Sequence, residues 1–190
     1  MTEKQLVEKL KKQDEAAFRY LVELHQVKVR NTCMGMLHDA YEADDMAQEV
    51  FIEIFRSIAK FKGESTLSTW IYRIAINKCL NSLRSKKRKY WMKLFGNSFE
   101  TQQEMSEITD NKEPQAILEN TEREKMLQEA IDSLPDNQRV AFVLSKYDEL
   151  SNSEIADIMK TTVSSVESLN FRAKRNLQKK LLRLFKEIND

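Results

Sequence analysis

The chain has 190 residues, with only three glycines, two prolines and a formal net charge of +1 at pH 7. Scarce turn residues and abundant Leu, Glu, Lys and Met favour helices over hairpins, which predicts an all-α fold of two small helical domains. Two cysteines without a CxxC spacing are too few for a structural zinc site, and no apolar run is long enough for a membrane span or a signal-peptide core. We therefore expect a cytoplasmic protein without a metal or another cofactor.

Charge is strongly segregated along the chain. Residues 1–54 have a net charge of −4, residues 55–98 of +10 and residues 99–124 of −6, and residues 172–186 hold seven basic side chains and no acidic one. Two basic regions separated by an acidic tract predict two polyanion-binding surfaces on separate modules. The alternative is that charges cluster by chance on solvated faces.

Two helices are predicted in the acidic N-terminal region. Apolar residues recur with a helical period from residue 15 to 36, as one long helix or two short ones, and again from residue 43 to 61. Asp44 and Asp45 are expected in the first turn of the second helix, where carboxylates favour the positive end of the helix dipole. This acidic turn is either a helix-end charge or a protein-docking surface. A paired-carboxylate active site would lack supporting His, Lys or metal-ligand side chains.

The next helix carries the most informative pattern, after the short connection 61–66 and an N-cap at Ser65 or Thr66. At 100° per residue, five polar side chains fall within about 80° of one another, and the rest of the cylinder is apolar. We call this set the α4 stripe, after the number that this helix receives below. It consists of Trp70, Arg73, Asn77, Asn81 and Arg84. An aromatic plane, amides and guanidiniums, followed by the basic run 84–89, are suited to holding unstacked bases on a phosphate backbone. The alternative is an amphipathic helix with a solvated rim.

Helical periodicity fades between residues 90 and 120. Polar and acidic side chains together with Gly96 and Pro114 predict an acidic, flexible linker over residues 91–120. The linker would join a first domain at 1–90 to a second domain at 121–190. The helical pattern returns near Thr121, and a further helix is predicted to begin at Pro135.

The C-terminal segment matches a helix-turn-helix. Ser151 is expected to cap a short helix, residues 160–162 form a turn, and a long helix begins near Ser164. Three apolar side chains are expected to face inwards, namely Val163, Val166 and Leu169. The outward face is expected to carry Ser165, Ser168, Arg172 and Arg175. Short hydroxyls can approach base edges and arginines can reach phosphate or guanine, so this face suits duplex DNA. A generic helical hairpin with a basic last helix is the alternative.

Six segments, taken in this order, resemble the extracytoplasmic-function (ECF) group of bacterial RNA polymerase sigma factors. They are residues 43–51 (ADDMAQEVF), 61–66 (FKGEST), 69–75 (TWIYRIA), 134–139 (LPDNQR), 150–156 (LSNSEIA) and 163–168 (VSSVES). The resemblance extends over both predicted domains, roughly residues 15–85 and 121–183. The turn Lys160-Thr161-Thr162 differs from the glycine, aliphatic residue and proline common in the family, and Glu167 stands where a basic side chain is frequent.

The resemblance implies a non-catalytic subunit that binds core RNA polymerase and directs promoter-specific initiation of transcription. Core-polymerase binding by the first domain is implied for Asp44, Asp45, Gln48, Glu49 and Phe51. Recognition and melting of the −10 element is implied for Lys62, Ser65, Thr66, the α4 stripe, Lys86, Lys87 and Arg88. Recognition of the −35 element by the second domain is implied for Arg139, Ser164, Ser165, Ser168, Arg172 and Arg175.

The family also implies an anti-sigma factor as a partner, and neither a small-molecule substrate nor insertion into a membrane. Two alternatives remain at this point. One is a stand-alone helix-turn-helix transcriptional regulator, which would bind an operator without polymerase. The other is a helical adaptor that binds only protein, which would show no salt-dependent binding to DNA.

Overall fold

The computed structural model describes the backbone of residues 1–95 and 115–189 and the side chains of residues 1–92 and 122–186. These residues form α-helices and a 3₁₀ turn, and none of them lies in a β-strand. The first half contains α1 (Glu3–Lys11), α2 (Glu15–Leu37), α3 (Ala40–Ser57), the 3₁₀ turn Ile58–Lys60 and α4 (Leu67–Phe95). The second half contains α5 (Gln115–Asp132), α6 (Asp136–Lys146), α7 (Asn152–Met159) and α8 (Val163–Asn189). The predicted all-α fold is confirmed, and the central part of the predicted linker lies outside the described residues.

The start of α3 differs from the prediction. Asp39 is its N-cap, because a carboxylate oxygen of Asp39 accepts a hydrogen bond from the backbone N–H of Glu42 at 2.8 Å. The helix therefore begins at Ala40, and Asp44 and Asp45 lie in its second turn rather than its first. The favourable interaction with the helix dipole belongs to Asp39 and Glu42. Asp44 and Asp45, in the second turn, therefore have no role in capping this helix.

The start of α4 resolves the choice between two predicted caps. Thr66 is the N-cap, and its Oγ1 accepts a hydrogen bond from the backbone N–H of Thr69 at 3.1 Å. The helix continues to Phe95, beyond residue 90 where the periodicity fades. The basic run 84–89 is therefore helical, and its side chains continue along the same cylinder as the α4 stripe.

The predicted helix-turn-helix is formed by α7 and α8. Ser151 and Glu154 make a capping box, in which each side chain accepts a hydrogen bond from the other residue's backbone N–H, at 3.3 and 2.9 Å. Lys160 ends α7 in the left-handed conformation with φ of 53°, at the turn that lacks a glycine. Val163 is 42% exposed rather than turned inwards, because α8 begins there, and Val166 is the buried anchor.

Removal of the Ser151 cap is expected to weaken this motif. We predict that Ser151→Ala lowers the free energy of unfolding by about 1 kcal/mol, since the backbone N–H of Glu154 in the first turn of α7 loses its acceptor. Urea denaturation followed by circular dichroism measures the effect. Ser153→Ala is the matched control, because Ser153 is an exposed serine two residues further along, in the first turn of the same helix. Equal loss in both variants would contradict the capping role.

The main hydrophobic core is shared by the two halves of the chain. Helices α2, α3 and α4 supply most of it, and buried side chains of α6, α7 and α8 join it: Val140, Ala141, Val143, Leu144, Ile155, Ala156, Ile158 and Val166. A smaller cluster consists of Ala130, Ile131, Leu134, Ala173 and Leu177. The sequence predicts a modest core in each domain, whereas the structure packs α6 and α7 directly onto α2 and α4.

Gly35 permits the close approach of α2 and α6. A Cβ atom at this position would lie 2.8 Å from Cγ1 of Val143 and 3.0 Å from Cγ of Tyr147. A glycine inside a helix costs about 1 kcal/mol relative to alanine, so its presence here is explained by this contact. Any side chain at this position would push α6 away from α2.

None of the helices in the described part of the chain is both long enough and apolar enough to cross a membrane.

Candidate functional site

The α4 stripe lies on one side of a helix whose opposite side is buried. Asn77, Asn81 and Arg84 are exposed and Trp70 and Arg73 are half-buried. The rest of the helix contributes Ile71, Ala75 and Cys79 to the core, each at most 2% exposed. The amides are therefore held at fixed positions by a helix that cannot rotate without exposing its core side chains.

Trp70 has two roles in this structure. Its ring centroid lies 5.3 Å from that of Phe61, with the planes tilted by 51°, and it packs against the main core. It therefore fixes the connection 61–66 to α4. Its remaining surface lines a cavity of about 230 Å³ with Lys62, Ser65 and Arg73. Because the ring is partly a core side chain, its removal would affect folding as well as any stacking on a base.

Both arginines of the stripe contact the second half of the chain. Arg73 donates hydrogen bonds to the carbonyl oxygens of Asp157 and Ile158, at 2.6 and 3.2 Å. Arg84 donates to Oδ2 of Asp136 from Nη2 at 2.8 Å and from Nε at 3.1 Å. The sequence predicts DNA contacts for both guanidiniums, and in this structure they hold α7 and α6 instead.

The basic side chains beyond the stripe are mostly exposed. Lys62, Lys87 and Arg88 face solvent, and Lys86 pairs with the carboxylate of Glu42. An exposed ion pair of this kind stabilises little and breaks readily for another anion. The end of α4 thus offers a positive surface next to the exposed amides.

The outward face of α8 forms a second basic surface. Ser164, Arg172 and Arg175 are exposed, and Ser165 and Ser168 are half-buried. The Oγ of Ser165 lies 2.9 Å from Oγ1 of the N-cap residue Thr162, so this hydroxyl belongs to the start of the helix. Ser164 lies about two turns before Arg172, and Arg175 lies about one turn after it, so the three side chains share the side of α8 that could enter a major groove.

Arg139, which the resemblance implies as a DNA-binding residue, is buried in this structure. It is 6% exposed, and its guanidinium donates to the carbonyl oxygen of Met36 and to the carboxylate of Asp132. Both acceptors bind Nη2, while the buried Nε has no hydrogen-bond partner. In this arrangement the guanidinium lies between α2, α5 and α6 and cannot reach a duplex, so the LPDNQR segment marks a position between the halves.

The exposed side of α3 carries the predicted docking residues. Asp44 forms an ion pair with Arg30 at 2.6 Å, and Glu49 forms one with Lys78 at 3.3 Å. Asp45 and Gln48 are exposed. Their short side chains make no hydrogen bond or ion pair to any described residue, which leaves both groups available to another protein.

Phe51 is not part of this docking surface. It is 9% exposed and packs in the core of the first half. The sequence analysis missed three exposed residues that share the face of Asp45 and Gln48 instead: Tyr41 (86% exposed), Ile52 (41%) and Phe55 (38%). Their spacing of three and four residues was the available signal. Apolar side chains beside unpaired polar groups are typical of protein-binding surfaces.

The contact between α2 and the α6–α7 loop contains a half-buried carboxyl group, that of Asp148. Thr32 donates a hydrogen bond to Oδ2 of Asp148 at 2.9 Å. Burial raises the pKa of Asp148 to about 6, although the bond from Thr32 and the charge of Lys28 act in the opposite direction. Burial and the charge of Asp148 raise the pKa of the Tyr72 hydroxyl on α4.

This half-buried group predicts a pH dependence of stability. A carboxyl whose pKa is raised on folding stabilises the fold fully below its ordinary pKa, and this contribution is lost as the pH rises through about 6. We expect Asp148→Asn, which keeps an acceptor for Thr32, to raise the free energy of unfolding in urea by roughly 1–3 kcal/mol at pH 7.5 and by about half as much at pH 5. Asp157→Asn, at an exposed acid, is the control and should show no such pH-dependent gap. A constant gap for Asp148→Asn would contradict its titration near pH 6.

The two cysteines are buried side by side and have no exposed chemistry. A hydrogen bond with Cys33 and burial raise the pKa of the Cys79 thiol, which makes the thiolate inaccessible. Within the described ranges, no group of three or more His, Cys, Asp or Glu side chains could hold a metal ion.

Comparison with known proteins assigns both halves to one family. Residues 21–89 match the model of Sigma-70 region 2, and residues 124–177 match that of Sigma-70, region 4. RNA polymerase sigma-H factor of Pseudomonas aeruginosa is 34% identical over 186 residues, which cover 97% of this chain and 96% of that protein. ECF RNA polymerase sigma factor SigW of Bacillus subtilis is 34% identical over 94% of this chain and 96% of its own length.

Solved structures show the same fold. CnrH in complex with the cytosolic domain of CnrY matches with a TM-score of 0.64 and 19% identity, covering 93% of this chain and 95% of that one. The sigma factor RpoE from Bartonella quintana, in complex with the anti-sigma factor NepR, matches with a TM-score of 0.59 and 20% identity over 87% and 96% of the two chains. The chain belongs to the ECF group of RNA polymerase sigma factors, which direct promoter-specific initiation of transcription.

Proposed function

We propose that this sigma factor uses three separate surfaces, one for core RNA polymerase and two for promoter DNA. The face of α3 around Asp45 binds core polymerase, the α4 stripe holds the unpaired −10 strand, and α8 reads the −35 duplex. The observation that carries the proposal is the exposure of Asn77 and Asn81 on a helix whose other sides are buried. The protein acts in the cytoplasm and catalyses no reaction itself.

Assignment of the −10 strand to α4 is supported by the mixture of groups along one side of this helix. Asn77 and Asn81 supply amide donors and acceptors for base edges, and part of the Trp70 ring is available for stacking. Exposed Lys87 and Arg88 add charge for the phosphate backbone. Bases that have left a duplex can use such a wall, whereas stacked bases cannot.

Assignment of the −35 duplex to α8 is supported by the helix-turn-helix geometry. The N-terminal turn of α8 begins directly after the cap at Thr162 and projects Ser164, and Arg172 and Arg175 follow on the exposed side. The seven basic residues over 172–186 supply phosphate contacts. This geometry suits a major groove, in which every base pair presents a distinct pattern.

The proposed organisation keeps two modules, residues 1–90 and 121–190, joined by the linker 91–120. An anti-sigma factor is a proposed partner, since RpoE of Bartonella quintana was solved in complex with one. Such a partner would compete for the surfaces used by polymerase. A stand-alone regulator whose N-terminal domain serves dimerisation is disfavoured, because both halves match sigma-70 regions and the similar full-length proteins are RNA polymerase sigma factors.

Run-off transcription on fragmented genomic DNA tests this function. Core RNA polymerase with the protein is expected to give discrete transcripts, and either component alone to give none. A protein that binds discrete DNA fragments without polymerase and yields no transcript would support the stand-alone regulator instead. Binding to polymerase without any salt-dependent binding of DNA by the complex would support the adaptor.

A further inference from the structure

Glu167 is an acidic residue on the side of α8 that is proposed to enter the major groove. At 100° per residue, four side chains near the start of this helix fall within about 100° of one another. They are Ser164, Glu167, Ser168 and Phe171. Glu167 is exposed and Phe171 is 68% exposed, so this side of α8 is open. Glu167 is the fifth residue of α8, in the part of a recognition helix that contacts base edges.

The carboxylate of Glu167 has no partner within the protein. It forms no hydrogen bond or ion pair with any residue in the described ranges. No basic side chain of its own helix is placed to pair with it, because the residues three and four positions away are Val163, Ser164, Asn170 and Phe171. It also lies beyond the first turn, where the effect of the helix dipole falls off. The carboxylate therefore has no structural role in α8.

The charge of Glu167 opposes the binding of DNA by the rest of α8. Glu167 is the one charged residue of the segment 163–171, whereas residues 172–186 hold seven basic side chains and no acidic one. At physiological ionic strength, phosphates within about 8 Å repel a carboxylate appreciably. Placing Glu167 beside a duplex therefore lowers the affinity, unless its carboxylate accepts a hydrogen bond from a base edge.

A carboxylate distinguishes the four bases in the major groove, because in its ionised form it only accepts hydrogen bonds. Guanine presents two acceptors there, and thymine presents one acceptor and a methyl group, so neither base can donate to it. Adenine presents an amino group beside the acceptor N7, whereas cytosine presents its N4 amino group alone. Cytosine is therefore the base that suits Glu167.

We propose that Glu167 selects a cytosine in the −35 element by accepting a hydrogen bond from the N4 amino group in the major groove. The inference rests on the function proposed above for α8. On a duplex with cytosine at this position the carboxylate is paired, and on every other duplex it lies unpaired beside phosphates. Glu167 thus lowers the affinity for DNA in general and raises the preference for one sequence.

A set of altered promoters tests the selection with the polymerase holoenzyme. In a promoter found by run-off transcription, each base pair of the −35 element is changed in turn to the other three, and transcripts are counted by sequencing. The unaltered protein is expected to prefer cytosine at one position by roughly ten-fold. Glu167→Ala is expected to lose this preference and to keep the preferences at the other positions.

Glu129→Ala is the matched control, because it removes an exposed carboxylate from α5, outside the helix-turn-helix. It is expected to keep every base preference, and circular dichroism checks that both variants are folded. An unchanged set of preferences in Glu167→Ala would overturn the inference. Equal relaxation at all positions would show that the carboxylate only repels phosphates, and selection of adenine rather than cytosine would contradict the assigned base.

A modified base tests the hydrogen bond itself. N4-methylcytosine pairs with guanine through its remaining N4–H, and its methyl group replaces the hydrogen that faces the major groove. At the selected position it is expected to reduce initiation by the unaltered protein roughly ten-fold and to leave initiation by Glu167→Ala unchanged. Equal sensitivity of the two proteins would contradict a hydrogen bond from this amino group to Glu167.

The affinity for DNA of random sequence is expected to change in the opposite direction. Holoenzyme with Glu167→Ala should bind such a duplex roughly two-fold or more tightly than unaltered holoenzyme, because a charge that repels phosphates has been removed. Electrophoretic mobility shifts measure this affinity. Weaker binding by the variant would show that the carboxylate supports the basic side chains of α8, which would contradict the proposed trade of affinity for selectivity.

The base preferences taken together separate this inference from the function on which it rests. If no position of the −35 element affects initiation by the unaltered protein, the assignment of this element to α8 fails. If preferences are present and Arg172→Ala weakens them, but none depends on Glu167, only the selection of cytosine by Glu167 fails.

Discussion

Asp45→Arg combined with Gln48→Ala is expected to abolish binding of core RNA polymerase while the chain remains folded. Both side chains are exposed on α3, and neither forms a hydrogen bond with any described residue. They contribute little to the free energy of unfolding, whereas a reversed charge at the centre of a complementary interface costs several kcal/mol. A competition assay with a fluorescently labelled sigma factor measures the affinity, and circular dichroism measures the fold.

The matched control repeats the same changes at the same spacing on another helix. Glu23→Arg with Gln26→Ala alters two exposed residues of α2 and is expected to keep the affinity within a few-fold of the unaltered protein. Full affinity in the α3 variant would show that polymerase binds elsewhere. Equal loss in both variants would extend the docking surface from α3 onto α2.

The two DNA surfaces are expected to fail at different steps of initiation. Arg172→Ala should weaken closed-complex binding by about 1–3 kcal/mol if the arginine contacts a base bidentately, or reduce the salt slope by about 1 if it contacts only phosphate. Asn81→Ala should leave duplex binding nearly intact and impair strand opening, because its amide lies on the wall proposed for unstacked bases. Permanganate footprinting of −10 thymines and electrophoretic mobility shifts at several salt concentrations measure the two effects.

Matched controls and a rescue separate these effects from loss of folding. Asn31→Ala makes the same change at an exposed position of α2 and should leave opening unaffected. A template with a pre-melted bubble should restore initiation by Asn81→Ala, since the cost of unstacking has already been met. A bubble that rescues Arg172→Ala but not Asn81→Ala would reverse the assignment. Trp70→Ala is less decisive, because half of this ring packs against the core.

Periodicity and capping residues predict most of the helices of this chain. The helix-turn-helix, its capping serine and the long α4 all follow from local rules, because a short polar side chain satisfies the first N–H groups of a helix wherever it is placed. The error at α3 has the same origin. Apolar periodicity predicts this helix from residue 43, whereas the cap at Asp39 starts it at Ala40 and so places Asp44 and Asp45 in the second turn.

Contacts between the halves could not be predicted from the pattern. A guanidinium on the polar side of a helix has the same sequence signature whether it meets solvent, DNA or carbonyl groups of another helix. Arg73 and Arg84 face α7 and α6, and Arg139 is buried with two acceptors. Gly35 carries a signal in retrospect, since a glycine within a helix, here in the last turn of α2, can indicate close packing against a neighbour.

The docking face shows how resemblance and burial complement one another. The family segment 43–51 suggests a continuous set that includes Phe51, but a helix presents every third or fourth residue to a partner. Phe51 lies in the core, whereas Tyr41 and Ile52 lie on the face of Asp45. Their spacing of three and four residues places these side chains on one face, but whether that face is exposed depends on which side of α3 packs against its neighbours.

Site-specific photocross-linking in open complexes tests the central claim most directly. Benzophenone side chains are placed at positions 81 and 172 of the full chain, bound to core polymerase on a promoter found by run-off transcription. Position 81 is expected to cross-link to the non-template strand within the −10 element, and only when the strands are open. Position 172 is expected to cross-link to the −35 duplex in closed and open complexes alike. Cross-links from position 81 to duplex upstream of −10, or from position 172 to the melted strand, would contradict the assignment of the two surfaces.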